Sequence, residues 1–179
     1  MRHTWADAHP LLTAYYENEW QIESHDDRYL FEMLVLEGMQ AGLSWLTILK
    51  RREAMRRALE NFNYETIAVY DESDFDRLMN DEGMIRNRLK VRSIMSNAQA
   101  FVKVREQYLT FDDYIWHFTE GKSVVTYYED ESKIPTDNGL SQQISKDLKK
   151  RGFKFVGPVI IYGYLGAIGI IQDKLKWNK

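Results

Sequence analysis

The sequence predicts a compact all-α protein, and three observations lead to this class. Apolar residues recur at helical spacing along most of the chain. Proline is rare and glycine modest, with three and ten residues, so few helix breakers interrupt the pattern. A single segment, 123–130, has β-like composition, and it is too short and isolated to support a sheet. We therefore expect about eight to ten helices.

Length and composition indicate one domain, residues 1–179, with a substantial core. Hydrophobic residues make up 44% of the chain, yet no apolar run reaches the roughly eighteen residues that a membrane span needs. The N-terminus has no apolar targeting segment, which favours a cytoplasmic protein. The absence of cysteine excludes disulfides, thiolate zinc sites and cysteine nucleophiles.

Eight segments carry the helical pattern, and one of them is unusually apolar. In chain order they are 11–20, 26–43, 45–62, 74–81, 86–108, 111–120, 140–152 and 158–175. Segment 26–43 opens with two aspartates, which favour a helix N-terminus, and it is apolar nearly all round. We expect it to be the buried central helix. The brief segment 64–70 is ambiguous.

Start and stop signals support these boundaries. Residues that favour the first turn of a helix precede or open four segments: Ser44, Ser73 with Asp76, Thr110 with Asp113, and Pro158. Gly83 breaks the chain before the fifth segment, and Gly152 is a natural residue just past a helix end.

Glu37 is a charged residue on the most apolar helix face. A buried carboxylate is costly without partners, and its proton affinity rises. Two interpretations stay open: a structural glutamate that caps a loop or pairs with an arginine, or a carboxylate at the floor of a ligand pocket. Gly38 and Gly42 follow closely and would give a ligand or another backbone room. The glycines of 163–169 are better explained by helix packing.

Aromatic residues are concentrated near Glu37 in the sequence. The first quarter of the chain holds Trp5, Tyr15, Tyr16, Trp20 and Trp45. Most tryptophans are core residues, and that interpretation stays open. Aromatic planes beside a lone carboxylate also suit a flat heterocycle, because stacking holds its face while polar groups read its edge.

The net charge of −3 does not indicate a nucleic-acid-binding protein, but two basic clusters, 86–92 and 149–154, do stand out. Each is either solvated helix surface or a phosphate-binding face. The first cluster follows Gly83 in a helix–turn–helix pattern. The second helix of that pattern could offer free N–H groups to a phosphate, although a plain corner has the same spacing.

Six stretches follow the order of a known family over nearly the whole chain: 15–20, 30–53, 81–101, 111–118, 134–136 and 140–171. "LEGMQAGLSW" and "LKKRGFKFVG" are the most specific. The chain resembles the DNA-3-methyladenine glycosylase I family of the helix–hairpin–helix DNA glycosylase superfamily. That resemblance implies a helical bundle of two lobes with the base pocket between them, and a helix–hairpin–helix-like segment at about 74–101.

The resemblance also implies site residues. Glu37 matches the glutamate that hydrogen-bonds the extruded base, and it is the candidate catalytic residue. Tyr15 matches the tyrosine on the edge of the base, and Trp45 the tryptophan stacked on its face. Trp5 and Trp20 match tryptophans that line the same pocket.

The segment about Gly83 takes the place of the family's DNA-binding hairpin. Together with charge, this gives the candidate DNA contacts Gly83, Arg86, Arg88, Lys90, Lys149, Lys150, Arg151 and Lys154. For the second basic cluster, the DNA role rests on charge alone.

The family hydrolyses the N-glycosidic bond of N3-methyladenine in DNA after base flipping, without lyase activity. Methylation leaves a cationic base that departs readily, so a strong general acid is less necessary. The resemblance implies alkylated double-stranded DNA as the partner, free 3-methyladenine as the product, no membrane and a monomer. The alternatives are a zinc-free member that binds alkylated DNA without cleavage, or one that acts on another alkylpurine.

The sequence departs from the family at its structural zinc, which commonly ties the termini together. Members use an early cysteine, a histidine after the pocket tyrosine and a His/Cys pair near the C-terminus. The matching positions here are His3 or Thr4, Tyr16, and 172–179. We predict no zinc and no cofactor. Packing of Trp177 against the N-terminal aromatics is the expected substitute for the tie.

Overall fold

Helices account for most of residues 1–176, the part of the chain that the computed structural model describes. They are α1 (Pro10–Asn18), α2 (Asp27–Met39), α3 (Trp45–Ala58), α4 (Tyr64–Ala68), α5 (Glu72–Met79), α6 (Arg88–Val104), α7 (Phe111–His117), α8 (Gly139–Lys150) and α9 (Pro158–Ala167). Two strands, β1 (Val124–Tyr128) and β2 (Ile171–Leu175), and three short 3₁₀ turns (Thr4–Asp7, Glu60–Phe62, Glu131–Lys133) complete this part. The mostly helical class is confirmed.

Helix α2 is the central element. Every residue from Leu30 to Met39 is buried, including Glu32 and Glu37. The helix packs against α3, α6, α7 and α9. Because apolar side chains cover nearly its whole circumference, neighbours can cover it from every side. This arrangement confirms the central helix expected from the sequence.

Local capping chemistry sets most of the helix starts. The Ser44 and Thr110 side chains accept hydrogen bonds from the backbone N–H groups of Thr47 and Asp113, as their positions predict. The prediction that Ser73 and Asp76 start a helix is wrong. Asp71 is the cap, and Asp74 returns the hydrogen bond in a capping box, so α5 begins earlier.

A two-stranded parallel sheet corrects the sequence prediction in two places. β1 pairs with β2 from Val124 opposite Ile171 to Tyr128 opposite Leu175. Segment 123–130 therefore does support a strand, because its partner comes from a distant part of the chain. The last predicted helix is too long: α9 ends at Ala167, and Gly169 follows with a φ of +84°. A Cβ on Gly169 would lie 2.4 Å from the Glu23 backbone nitrogen, so only glycine fits there.

A buried charge network joins α1, α2 and α3. The Glu32 side chain is fully buried and pairs with Arg28, Arg52 and Arg56. Arg52 also donates two hydrogen bonds, of 2.7 and 2.8 Å, to the carboxylate of Glu19 just after α1. Burial alone would raise the pKa of Glu32, but the arginines outweigh it and lower the pKa. We call these five residues the charge network.

No helix within residues 1–176 has both the length and the apolar character to cross a membrane. The expected packing of Trp177 lies outside the described residues. The single-domain organisation over residues 1–179 stays a prediction.

Candidate active site

A cavity of about 370 Å³ opens where the N-terminal 3₁₀ turn, α1, α2, α3 and α9 meet. It is lined by Trp5, Leu12, Tyr15, Trp20, Glu37, Gln40, Ser44, Trp45, Leu46 and Gly163. The structure thus brings together all five pocket residues that the sequence singles out, although they come from four separate elements and a loop. A smaller cavity of about 230 Å³ shares Glu37, Gln40 and Gly163 with the first.

The Glu37 carboxylate is the only carboxylate among the residues that line the cavity of about 370 Å³. Glu37 is only 7% exposed. Burial raises the pKa of its carboxyl to about 8, and no neighbouring charge or hydrogen bond contributes to that shift. The structural interpretation, a loop cap or an arginine partner, is therefore not supported among the described residues. Arginines pair with Glu32, five residues earlier, and Glu37 is left facing the cavity.

Aromatic rings form the walls of the cavity. The Tyr15 and Trp45 rings lie 5.3 Å apart and are tilted by 57°. Trp5 meets Trp20 edge-on at 5.1 Å. The pKa of the Tyr15 hydroxyl is raised well above its ordinary value, first by burial and then by the nearby Glu37 charge, so this hydroxyl stays a neutral donor. The buried indole N–H of Trp45 has no partner within the described residues.

The glycine beside Glu37 is not one of those expected from the sequence. Gly38 faces Phe155, whose Cβ would lie 3.3 Å from an added Cβ, and Gly42 adopts a φ of +78° with open space around it. Neither makes room for a ligand in this cavity. A Cβ on Gly163 would instead lie 3.0 Å from a Glu37 carboxylate oxygen. The sequence shows three glycines in 163–169, and only the packing of α9 on α2 reveals which of them matters.

The helix–turn–helix about Gly83 is formed by α5, the turn 80–87 and α6. The turn packs tightly on α3, because a Cβ on Gly83 would lie 2.7 Å from the Ala54 Cβ. Arg86 and Arg88 are exposed, as a DNA-contact role requires.

Lys90 does not belong to this exposed surface, and its prediction as a DNA contact is wrong. It is 7% exposed, and its ammonium donates to the backbone carbonyls of Met39, at 2.9 Å, and Ala41. Burial lowers its pKa. Lys90 therefore caps the C-terminal end of α2, where helix carbonyls attract a cation.

In the second basic cluster, Lys149, Lys150 and Lys154 are exposed. Arg151 is different, because it pairs with Asp147 at 2.8 Å and lies over the Tyr114 ring. Its side chain is 22% exposed, and its guanidinium donates hydrogen bonds to the Asp147 and Gln107 side chains. The three lysines are the better candidates for phosphate contacts.

The structure combines a buried carboxylate in an aromatic cavity with a mostly helical fold, an arrangement suited to a flat heterocyclic ligand. The chain belongs to the methyladenine glycosylase family, whose model matches residues 5–178. It is 43% identical to DNA-3-methyladenine glycosylase 1 of Escherichia coli strain K12, over 94% of this chain and 90% of the relative. It is 37% identical to the DNA-3-methyladenine glycosylase of Haemophilus influenzae, over 96% and 93%.

Solved structures agree with this assignment. A variant of 3-methyladenine DNA glycosylase I in complex with 3-methyladenine has a TM-score of 0.91 at 37% identity, covering 94% of this chain and 91% of that one. The predicted helix–hairpin–helix glycosylase-like helical fold is thereby confirmed.

Of the positions that the resemblance matches to zinc ligands, those within residues 1–176 form no metal site. The His3 ring contacts the Tyr16 hydroxyl at 3.3 Å and meets Trp20 edge-on. Among residues 1–176, no group of three or more His, Asp and Glu side chains is placed to hold an ion. A cavity of about 760 Å³ lies beside His3, but Glu37 is not part of it. The prediction that the protein needs no zinc stays a prediction.

Proposed function

We propose that the protein excises N3-methyladenine from alkylated double-stranded DNA. It hydrolyses the N-glycosidic bond after the nucleotide is flipped out of the helix, which costs a few kcal/mol. The observation that carries this proposal is the unpartnered, buried Glu37 inside an aromatic cavity. The names and bound ligand of the similar proteins support it.

The cavity favours a cationic base in two ways. Electron-rich faces of Trp45, Trp5 and Tyr15 attract a positive ring, and an ionised carboxylate attracts it further. Normal adenine is neutral, so it gains less and would leave Glu37 protonated. Selectivity therefore follows from charge, because the pKa of about 8 is easily lowered by a cation beside the carboxyl.

The reaction needs no covalent enzyme intermediate. The base leaves with the electrons of the glycosidic bond, which neutralise its positive charge, and water adds to the sugar carbon and loses a proton. Glu37 balances the positive charge of the bound base, because its carboxylate lines the cavity that would receive it. None of the ten lining residues is a lysine, which supports hydrolysis without lyase activity.

Release of methylated bases tests the proposal. We expect the protein to release 3-methyladenine, and not 7-methylguanine, from methylated duplex DNA, as measured by chromatography of the soluble fraction. Release no greater than in buffer, with retained binding to the DNA, would favour the alternative of a non-cleaving binder. Release of a different alkylpurine would favour the shifted-substrate alternative. The cytoplasmic location and the monomeric state stay predictions.

The DNA-contact assignment is tested by a matched pair of lysines. Lys149→Gln should weaken DNA binding and reduce the slope of log affinity against log salt by about one, because an exposed lysine on a phosphate releases counterions. Lys90→Met should leave that slope unchanged and lower the free energy of unfolding by about 1–3 kcal/mol, because the carbonyls of Met39 and Ala41 lose a charged donor. Equal salt slopes for the wild type and Lys149→Gln would contradict the assignment.

A further inference from the structure

Two buried polar residues on one face of helix α6 bind two separate parts of the molecule. Lys90 and Asn97 are seven residues apart, which is close to two helical turns, so they project in nearly the same direction. Lys90 binds the carbonyl end of α2, which carries Glu37. Asn97 is 4% exposed and reaches the loop between α8 and α9.

Asn97 binds the main chain of Lys154 at two points. Its Nδ2 donates to the Lys154 carbonyl oxygen at 3.0 Å, and its Oδ1 accepts from the Lys154 backbone N–H at 2.8 Å. Two bonds to both backbone groups of one residue fix its orientation as well as its position. Ser145, which is 2% exposed, adds a third bond by donating to the Val156 carbonyl at 2.6 Å.

The loop 153–157 is held in a conformation that its residues do not favour. Phe155 has a φ of +54°, a left-handed backbone that costs a residue with a Cβ about 1–2 kcal/mol. Such a conformation persists when the surroundings over-determine it. Here Phe155 packs on Gly38, the residue after Glu37. The loop is thus fixed directly behind the helix end that carries the catalytic candidate.

Lys154, the loop residue whose backbone Asn97 binds, is exposed. Phe153 and Val156 are buried, at 2% each, and anchor the loop on both sides of Lys154. Lys154 itself is exposed and follows the other free lysines, Lys149 and Lys150. The Asn97 amide therefore satisfies the partly buried backbone of Lys154, and the same two bonds orient the backbone from which an exposed cation projects.

We infer that Asn97 is a positioning residue for DNA: it fixes the Lys154 backbone so that the lysine binds a phosphate while the loop stays packed behind Glu37. The inference rests on the proposed function, because it assumes that DNA lies on this surface. It predicts that Asn97 acts on DNA affinity through Lys154 and has no effect on binding of the free base.

A double-mutant cycle tests this coupling. The probe is a short duplex with one tetrahydrofuran abasic-site analogue, bound at several salt concentrations. Asn97→Ala and Lys154→Gln should each weaken binding by about fivefold and reduce the salt slope by about one. The double variant should be no weaker than either single variant. Free 3-methyladenine, followed by tryptophan fluorescence, should bind to Asn97→Ala as it does to the wild type.

Additive effects in the cycle, or an unchanged salt slope in Asn97→Ala, would overturn the inference. Gln99→Ala, on the exposed side of α6, is the matched control and should bind the duplex normally. If Asn97→Ala does not fold, Ser145→Ala replaces it in the cycle, with a smaller effect in the same direction. Binding to the abasic duplex needs no cleavage, so failure of the proposed excision and failure of this coupling are separate results.

Discussion

Glu37→Gln is expected to slow excision of 3-methyladenine from methylated DNA by about 10²- to 10³-fold, the range found when one electrostatic group is removed from a transition state. Glutamine keeps the shape of the side chain but cannot balance the positive charge. The measurement is single-turnover release of the base. Glu106→Gln, an exposed change of the same kind, is the control and should be fully active. A fully active Glu37→Gln would contradict the assigned site.

The same variant should change the dependence on pH. The positive charge of N3-methyladenine in DNA is fixed, so only the enzyme titrates in this range. Because the pKa of Glu37 is about 8, wild-type kcat/KM should rise with pH up to that value, and the glutamine variant should show no such rise.

The free energy of unfolding should change with pH in the opposite direction to kcat/KM. The folded-state pKa lies above the ordinary 4.5, so the folded protein holds a proton that the unfolded chain loses as pH rises from 4.5 to about 8. Wild-type stability therefore falls over this window relative to Glu37→Gln, by several kcal/mol in total. Below pH 4.5 the two proteins should unfold alike.

Arg52→Met is expected to lower the free energy of unfolding by about 3–5 kcal/mol, the cost of breaking a buried ion pair on one side. The Glu32 carboxylate, fully buried, would lose one of its arginines, and Glu19 would lose its two short hydrogen bonds. Denaturant unfolding measures the loss. Arg57→Met on the exposed side of α3 is the control and should cost less than about 0.5 kcal/mol.

This variant should also weaken binding of free 3-methyladenine, because the charge network fixes α1, which carries Tyr15, against α3, which carries Trp45. Lowering the pH should reproduce part of the loss of stability. The folded-state pKa of Glu32 is lowered, so its contribution is present above its ordinary pKa and disappears as pH falls through the lower value. A loss below about 1 kcal/mol in Arg52→Met would mean that the network does not hold the pocket together.

The sequence predicted what depends on local chemistry and periodicity. The central helix, the caps at Ser44 and Thr110, and the odd position of Glu37 all follow from residues within a few turns of one another. The roles of Tyr15 and Trp45 came from the family resemblance, and the structure places both residues in the cavity that Glu37 lines.

The predictions that were wrong concern features that depend on contacts between residues distant in the sequence. Segment 123–130 contains strand β1 because β2 pairs with it from residues 171–175. From the sequence Lys90 is expected to be an exposed cation, but in the structure it binds the carbonyl end of α2. Gly163 is expected to be an ordinary helix-packing glycine, but the Glu37 carboxylate lies beside it. Composition carries no information about which distant residue will be the neighbour.

The complete burial of α2 between Leu30 and Met39 limits how this pocket can evolve. Each position in that stretch is already part of the interior, so a substitution that changes the ligand preference would disturb several neighbours at once. Variation in base preference among relatives should therefore accumulate at pocket positions on other elements, such as Trp5, Trp20 and Gly163. A library that randomises those three positions and leaves α2 untouched is the most direct route to altered specificity.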